Sequence, residues 1–498
     1  MRNSVNQEVM IEFEKLAQIA NIENCKDELI FKKVNELDLK FGVDNDYSFN
    51  IEGVLGNLAY DIGNEKLIKF AIQRLKEKLR LSKAEWTKDK FNYDLGTLIL
   101  NKADLLNPYP PKFSNLLEAK EYDEARNFYN NVNGEHFASA QTNQANILDK
   151  FGRNFEAILL YDKVLNRNSN FGMALGNKGK ALEYYYKLSP SKNKFILQIA
   201  KDLFMKALED KNIFEIGGQQ AFNIFSERLE SISLFLEDNS IKQTFISSFS
   251  ISSYEEFILK KNLFLNFDFG IVLDEHSFED SLFPLFLQRI ESKLNDKGKS
   301  NITSNNANNA IKVFNQIKED YVSARLLFYE WKTKDVSMYD KKVSWIYTFD
   351  FSRNSIKHGI LKIVLTSLYN ILDKVARVIL TYFEIKKPSE DIYLKDLESP
   401  DFKNLLIKTE NYQLLALHSL SKDFHGKRVY SKFQKLRNKI THNSVDIVEI
   451  SANENGNYVI EDLRNDIIEL FLIVKSAILY TSIGISINDS RQKNGSSR

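Results

Sequence analysis

The sequence predicts an all-α protein, on three observations. The 498 residues include only 7 Pro and 19 Gly, so few positions break a helix. Leu, Ile, Lys, Glu and Asn are abundant, and apolar residues recur at helical spacing through most of the chain. With 43 % apolar residues, 36 Phe and 22 Tyr, there is enough material to fill the cores of about two to four domains.

Charge and cysteine content narrow the function. Basic and acidic residues number 68 and 67, a net of +1, so any nucleic-acid site must be a local patch rather than a property of the whole chain. The single cysteine, Cys25, excludes an internal disulfide and a CxxC zinc site and fits a reducing cytoplasm. The start, MRNSVNQEVMIEFEKL, is charged and amphipathic, unlike a secretory signal. The most apolar windows, 360–372 and 471–487, are interrupted by Lys362 and Lys475 and fall short of the roughly 20 residues a spanning helix needs. A cytoplasmic protein without membrane contact is expected.

Residues 1–45 read as helices carrying no chemistry. From 46 to 215 an internal repeat emerges: Asn143, Ala145 and Leu148 reappear as Asn177, Gly179 and Leu182. Between them stand a turn at Gly152 and a second helix with Phe155, Ala157 and Tyr161. Weaker copies begin near 51, 91 and 118. The unit resembles the tetratricopeptide repeat, a helix–turn–helix of about 34 residues with small side chains where the helices meet. That resemblance implies a solenoid that holds a protein or peptide. The usual closing Pro is replaced by Asn168-Ser169-Asn170.

A mixed segment, 216–345, follows, with a polar loop at 296–310 and a helix at 311–331. Its Asp268-Phe269-Gly270 lacks the companions of a kinase motif, and Asp274, Glu275, His276, Glu279 and Asp280 read as a solvated turn rather than a metal cluster. From 346 to 487 four helices are expected, at about 360–382, 404–424, 427–440 and 460–483, forming a bundle. Residues 488–498 read as a disordered tail.

The third of these helices carries the chemistry: KRVYSKFQKLRNKITHNS, residues 427–444. At 100° per residue, Val429, Phe433, Leu436 and Ile440 form a core stripe, and Arg428, Lys432, Lys435 and Lys439 a basic stripe beside it. Arg437 and Asn438 precede His442. Arg offers a fork of donors to a phosphate, and His can give or take a proton near neutral pH. Such a set suffices for RNA cleavage by attack of the ribose 2′-hydroxyl, with the basic stripe holding the backbone. It calls for no metal or other cofactor. If the helix continued, Arg437 and His442 would leave it about 140° apart. Either the helix ends near Thr441, or a second copy of the chain brings Arg and His together. The same spacing recurs at Arg353 and His358, so spacing alone is not diagnostic.

Residues 346–487 resemble a HEPN domain, a helical bundle marked by Arg, a polar residue and a later His: here Arg437, Asn438 and His442. SLYNILDKVARVIL at 367–380 and LALHSLSKDF at 415–424 resemble other helices of a bacterial branch, and NQIKEDYVSARLLFYE at 315–330 the segment before it. That branch commonly carries tetratricopeptide repeats upstream. The resemblance implies a metal-independent endoribonuclease acting as a homodimer in antiviral defence or toxin-like growth arrest. Arg437 would contact the scissile phosphate, His442 act as acid or base, and Asn438 support both. RNA would bind along Arg428, Lys432, Lys435 and Lys439, and a protein or peptide trigger would bind the repeats. Thr441 stands where relatives often carry Glu. A non-catalytic dimeric adaptor, binding a protein through its repeats, is the alternative reading.

Overall fold

The computed structural model describes residues 27–41, 48–81, 85–188, 192–237, 252–265, 301–345, 354–426, 428–442, 445, 447–448 and 458–495, with positions 11, 12, 15 and 18. The chain is all-α. Among the described residues the only strands are Ile447–Val448 and Tyr458–Val459, a short parallel pair with Ile447 opposite Tyr458. Two compact units are formed, one from residues 1–148, 159–177 and 206–222, the other from 149–158, 178–205 and 223–498.

The first unit opens with α1 (Asp27–Phe41), α2 (Ser48–Asp61), α3 (Glu65–Leu81), α4 (Glu85–Leu106), α5 (Phe113–Glu118), α6 (Lys120–Asn130) and α7 (Phe137–Lys150). Sequential helices pack on one another, α2 on α3, α3 on α4 and α4 on α6. Gly96 lets α4 approach α6: a Cβ there would lie 2.6 Å from the Tyr129 ring. The Tyr129 hydroxyl donates to Thr97 and accepts from Asn143, both at 3.2 Å, so this buried phenol is satisfied.

Helices α8 (Asn154–Arg167), α9 (Gly172–Leu188), α10 (Lys194–Glu209) and α11 (Ile213–Glu237) follow. The repeated positions occupy matching places on α7 and α9, where Ala145, Leu148, Gly179 and Leu182 are all buried. Gly179 has no room for a side chain, since a Cβ would meet the Phe204 ring at 2.9 Å. Gly152 makes the turn before α8 at φ +77°. A Cβ there would fall 2.2 Å from the Tyr412 carbonyl oxygen, so both conformation and space require glycine.

The rest of the second unit comprises α12 (Ser253–Lys260), α13 (Asn301–Thr333), α14 (Ser337–Asp340), α15 (Ile356–Tyr382), a 3-10 turn (Leu394–Glu398), α16 (Pro400–Thr409), α17 (Tyr412–Asp423), α18 (Ser431–His442) and α19 (Ile460–Gly495). Ser355 starts α15 by accepting from the His358 N–H at 3.1 Å. Helix α15 packs against α13, α18 and α19, which explains why Leu361, Val364, Leu368, Leu372, Val375 and Ile379 are all fully buried. Helix α17 is covered nearly all round, as a central bundle helix must be.

Four expectations change. The polar stretch before 311 is helical from Asn301, because past Gly298 no Gly or Pro interrupts it. The helix expected over 404–424 is two helices. Glu410 is left-handed at φ +45°, and the Asn411 side chain restarts the chain by accepting from Gln413 and Leu414, a break with neither Gly nor Pro to announce it. The closing helix runs on to Gly495, through most of the expected tail, since nothing between Ile483 and Gly495 stops it but isolated Gly484. Its 460–488 portion is long and apolar enough to cross a membrane, yet most of it is buried inside the bundle. There Lys475 is accommodated by the carbonyl and side-chain oxygens of Asn262, at 3.2 and 2.9 Å.

Candidate active site

The candidate side chains are carried by α18, which follows a loop turned at Gly426 (φ +72°). Phe433 and Leu436 are buried as the core stripe requires, each contributing about 1.5–3 kcal/mol of apolar burial. Ile440 is half-buried. Val429 precedes the helix, and the ring that packs there is Tyr430, 5.6 Å from Phe424 and 6.2 Å from Phe433.

Arg437 is half-buried, its guanidinium carbon 5.5 Å from the centre of the Tyr369 ring on α15. Such cation–π contact fixes a planar cation without consuming its N–H groups. Nη1 donates to Asn438 Oδ1 at 3.3 Å. Nε is sealed from solvent with no hydrogen-bond partner among the described residues, a cost of about 1–3 kcal/mol. One turn along α15 from Tyr369 lies Asp373, whose Oδ1 accepts from the Leu394 N–H at 2.8 Å. Burial pushes the Asp373 carboxyl above the usual carboxylate range, with that N–H and Arg437 pulling against it. Burial, aided by Asp373, pushes the Tyr369 hydroxyl up to about 12. The neighbour of Arg437 is thus a neutral phenol.

The helix does not end before the histidine. Thr441 Oγ1 donates to the Arg437 carbonyl at 2.9 Å, and His442 is the last residue of α18, exposed, with no partner among the described residues. Arg437 and His442 therefore leave one continuous helix about 140° apart. Within one copy, α18 does not turn these two side chains toward each other.

The basic stripe is divided. Lys435 and Lys439 are exposed and have no ion-pair partner among the described residues. Lys432 instead bridges Asp466 at 2.7 Å and Glu469 at 2.6 Å on α19, which raises its pKa despite the opposing effect of burial. It braces α18 rather than standing free for a phosphate, because α19 places two carboxylates opposite it. Arg428 is half-buried in the loop.

Three features have partners that the sequence did not name. Arg153, in the turn after α7, is fully buried and reaches Asp423 at 2.5 Å and Glu156 at 2.6 and 2.8 Å. Glu156 also accepts from the Tyr430 and Tyr480 hydroxyls at 3.1 and 3.3 Å, while the Tyr430 N–H donates to the Asp423 carbonyl at 2.9 Å. Both ends of the loop leading into α18 are tied to this network. Second, His425 Nδ1 sits 2.8 Å from Glu398 Oε1. Burial favours the protonated Glu398, but His425 and Ser421 outweigh it and hold its pKa low. Third, His418 is buried with Nδ1 2.7 Å from the Leu397 carbonyl, and burial lowers its pKa to about 4. Arg353, Asp268-Phe269-Gly270 and the acidic stretch 274–280 lie outside the described residues. Lys374, on α15, pairs with Asp320 of α13 at 2.6 Å.

The bundle carries Arg437, Asn438 and His442 on its penultimate helix, and a comparison with known families covers this part of the chain. Residues 302–488 match the family model of the LA2681-like HEPN domain, and this part of the chain belongs to the HEPN superfamily, which includes ribonucleases. The match takes in α13 as well as the helices after it. No curated protein and no solved structure matches the chain.

Proposed function

We propose that this chain is a metal-independent endoribonuclease whose HEPN bundle works as a homodimer. The observation that carries this reading is the setting of Arg437: a cation held against a neutral tyrosine, with Asn438 on one Nη, on a helix that continues unbroken to His442. Arg437 would bind the scissile phosphate and stabilise the charge that develops on it. His442 of a second copy would meet it across the paired α18 helices and transfer a proton. Asn438 would orient the guanidinium. Arg428, Lys435 and Lys439 would hold the RNA backbone on either side, with Lys432 bracing the helix. The product ends would be a 2′,3′-cyclic phosphate and a 5′-hydroxyl.

The repeat-like helices upstream would take a protein or peptide trigger, placing the enzyme in antiviral defence or growth arrest in the cytoplasm. Expression of wild-type protein should arrest growth, and Arg437→Ala or His442→Ala should relieve it. Arrest unchanged by both substitutions would favour a non-catalytic adaptor instead.

A further inference from the structure

We propose that His425, its ring held by Glu398, is the general base that serves Arg437 from the same chain; this rests on the ribonuclease reading above. The 140° offset leaves Arg437 without His442 from its own copy. Ring contacts lead from Arg437 toward another histidine of the same chain. Arg437 lies over Tyr369 at 5.5 Å. Tyr369 meets the Phe424 ring edge-on at 5.8 Å. The next residue, His425, turns at Gly426 to meet Glu398 at 2.8 Å. Asp373, one turn from Tyr369, lies within electrostatic reach of both Arg437 and His425.

The local chemistry suits a base. The Glu398 carboxylate, also bonded by Ser421 at 3.0 Å, holds His425 Nδ1; with the hydrogen of that bond on Nδ1, the neutral ring would keep its lone pair on Nε2, as in a catalytic histidine oriented by a carboxylate. The ring is about one-quarter exposed, so RNA can reach it. The charged groups that act on it are Glu398 on the 3-10 turn and Asp373 on α15.

In the step assigned here, His425 Nε2 takes the proton of the 2′-hydroxyl. The 2′-oxygen bonds to phosphorus, and the bond from phosphorus to the 5′-oxygen breaks. The protonated imidazole of His442 from the second copy gives its proton to that leaving oxygen. No electrons are gained or lost, and the two histidines exchange protonation states until solvent restores them.

The test uses the full chain, a short RNA and three proteins: wild type, His425→Ala and Glu398→Gln. Folding is checked by thermal melting. The expected result is a loss of about a hundred-fold in kcat for His425→Ala and about ten-fold for Glu398→Gln, with KM little changed. Added imidazole should restore part of the His425→Ala rate, and the limb of the pH profile that needs an unprotonated base should vanish in that variant. A folded His425→Ala that cleaves like wild type overturns the proposal alone. So does one that is inactive and not rescued by imidazole while Glu398→Gln stays at the wild-type rate. A wild-type protein that does not cleave RNA overturns the ribonuclease reading, and this assignment with it.

Discussion

Arg153 and Asp423, 270 residues apart in the chain, meet at 2.5 Å with side chains 0 % and 2 % exposed. Burial works against the guanidinium charge, but Asp423 and Glu156 outweigh it and hold its pKa high. Removing one member of a buried charge network leaves the others unpaired in a poor solvent for charge. Arg153→Ala should therefore cost about 3–5 kcal/mol, read as a lower urea midpoint. Asp423→Asn, which keeps a hydrogen-bond acceptor, should cost less. Equal stability of Arg153→Ala and wild type would contradict the network's structural role.

His418 predicts a pH dependence of stability. Burial depresses its folded-state pKa to about 4, below the unfolded value near 6.5. Below pH 6.5 the unfolded chain binds a proton the folded chain refuses. Stability from this residue is thus complete above about pH 6.5 and is lost as pH falls toward 4, by on the order of 3 kcal/mol. The acidic carboxyls titrate in the same range, so the comparison is with His418→Gln. That variant should show a shallower fall of melting temperature between pH 6.5 and 4.5.

The lysines of α18 should separate into two kinds. Lys435→Ala and Lys439→Ala should weaken RNA binding and each reduce the salt dependence of log K by about one, with melting unchanged. Lys432→Ala breaks the part-exposed pairs with Asp466 and Glu469 and should cost about 0.5–1 kcal/mol of stability, with the smallest effect on RNA affinity. Filter-binding titrations at several salt concentrations, alongside melts, check this division.

The two-copy arrangement proposed for Arg437 and His442 makes a complementation prediction. Arg437→Ala and His442→Ala should each be inactive alone. Mixed and re-equilibrated, they form hybrid dimers in which one of two sites is whole. Random pairing should recover about a quarter of wild-type cleavage. No recovery on mixing would place both groups of a site in one chain.

Much of this architecture was legible in the sequence because it is written in local periodicity. The stripe Val364, Leu368, Ile371, Val375 and Val378 announces α15, and Phe433 and Leu436 announce the buried face of α18. What escaped was non-local or cryptic. Nothing near Arg153 names Asp423, and nothing near Lys432 names Asp466, because ion pairs between distant segments leave no period. The Glu410–Asn411 break depends on one left-handed residue and one capping side chain. The partner of His425, Glu398, lies on a 3-10 turn too short to predict. The Arg437 to His442 offset was visible, but that the helix runs on through His442 was not.

The most direct measurement is cleavage of a short RNA by the purified full chain in excess chelator, with end analysis of the products. Wild-type protein should yield 2′,3′-cyclic phosphate and 5′-hydroxyl ends, and Arg437→Ala, matched for folding, should lose at least about a hundred-fold in rate. Wild-type protein that leaves the RNA intact, or cleavage that survives Arg437→Ala, would contradict the assignment of this bundle as a ribonuclease.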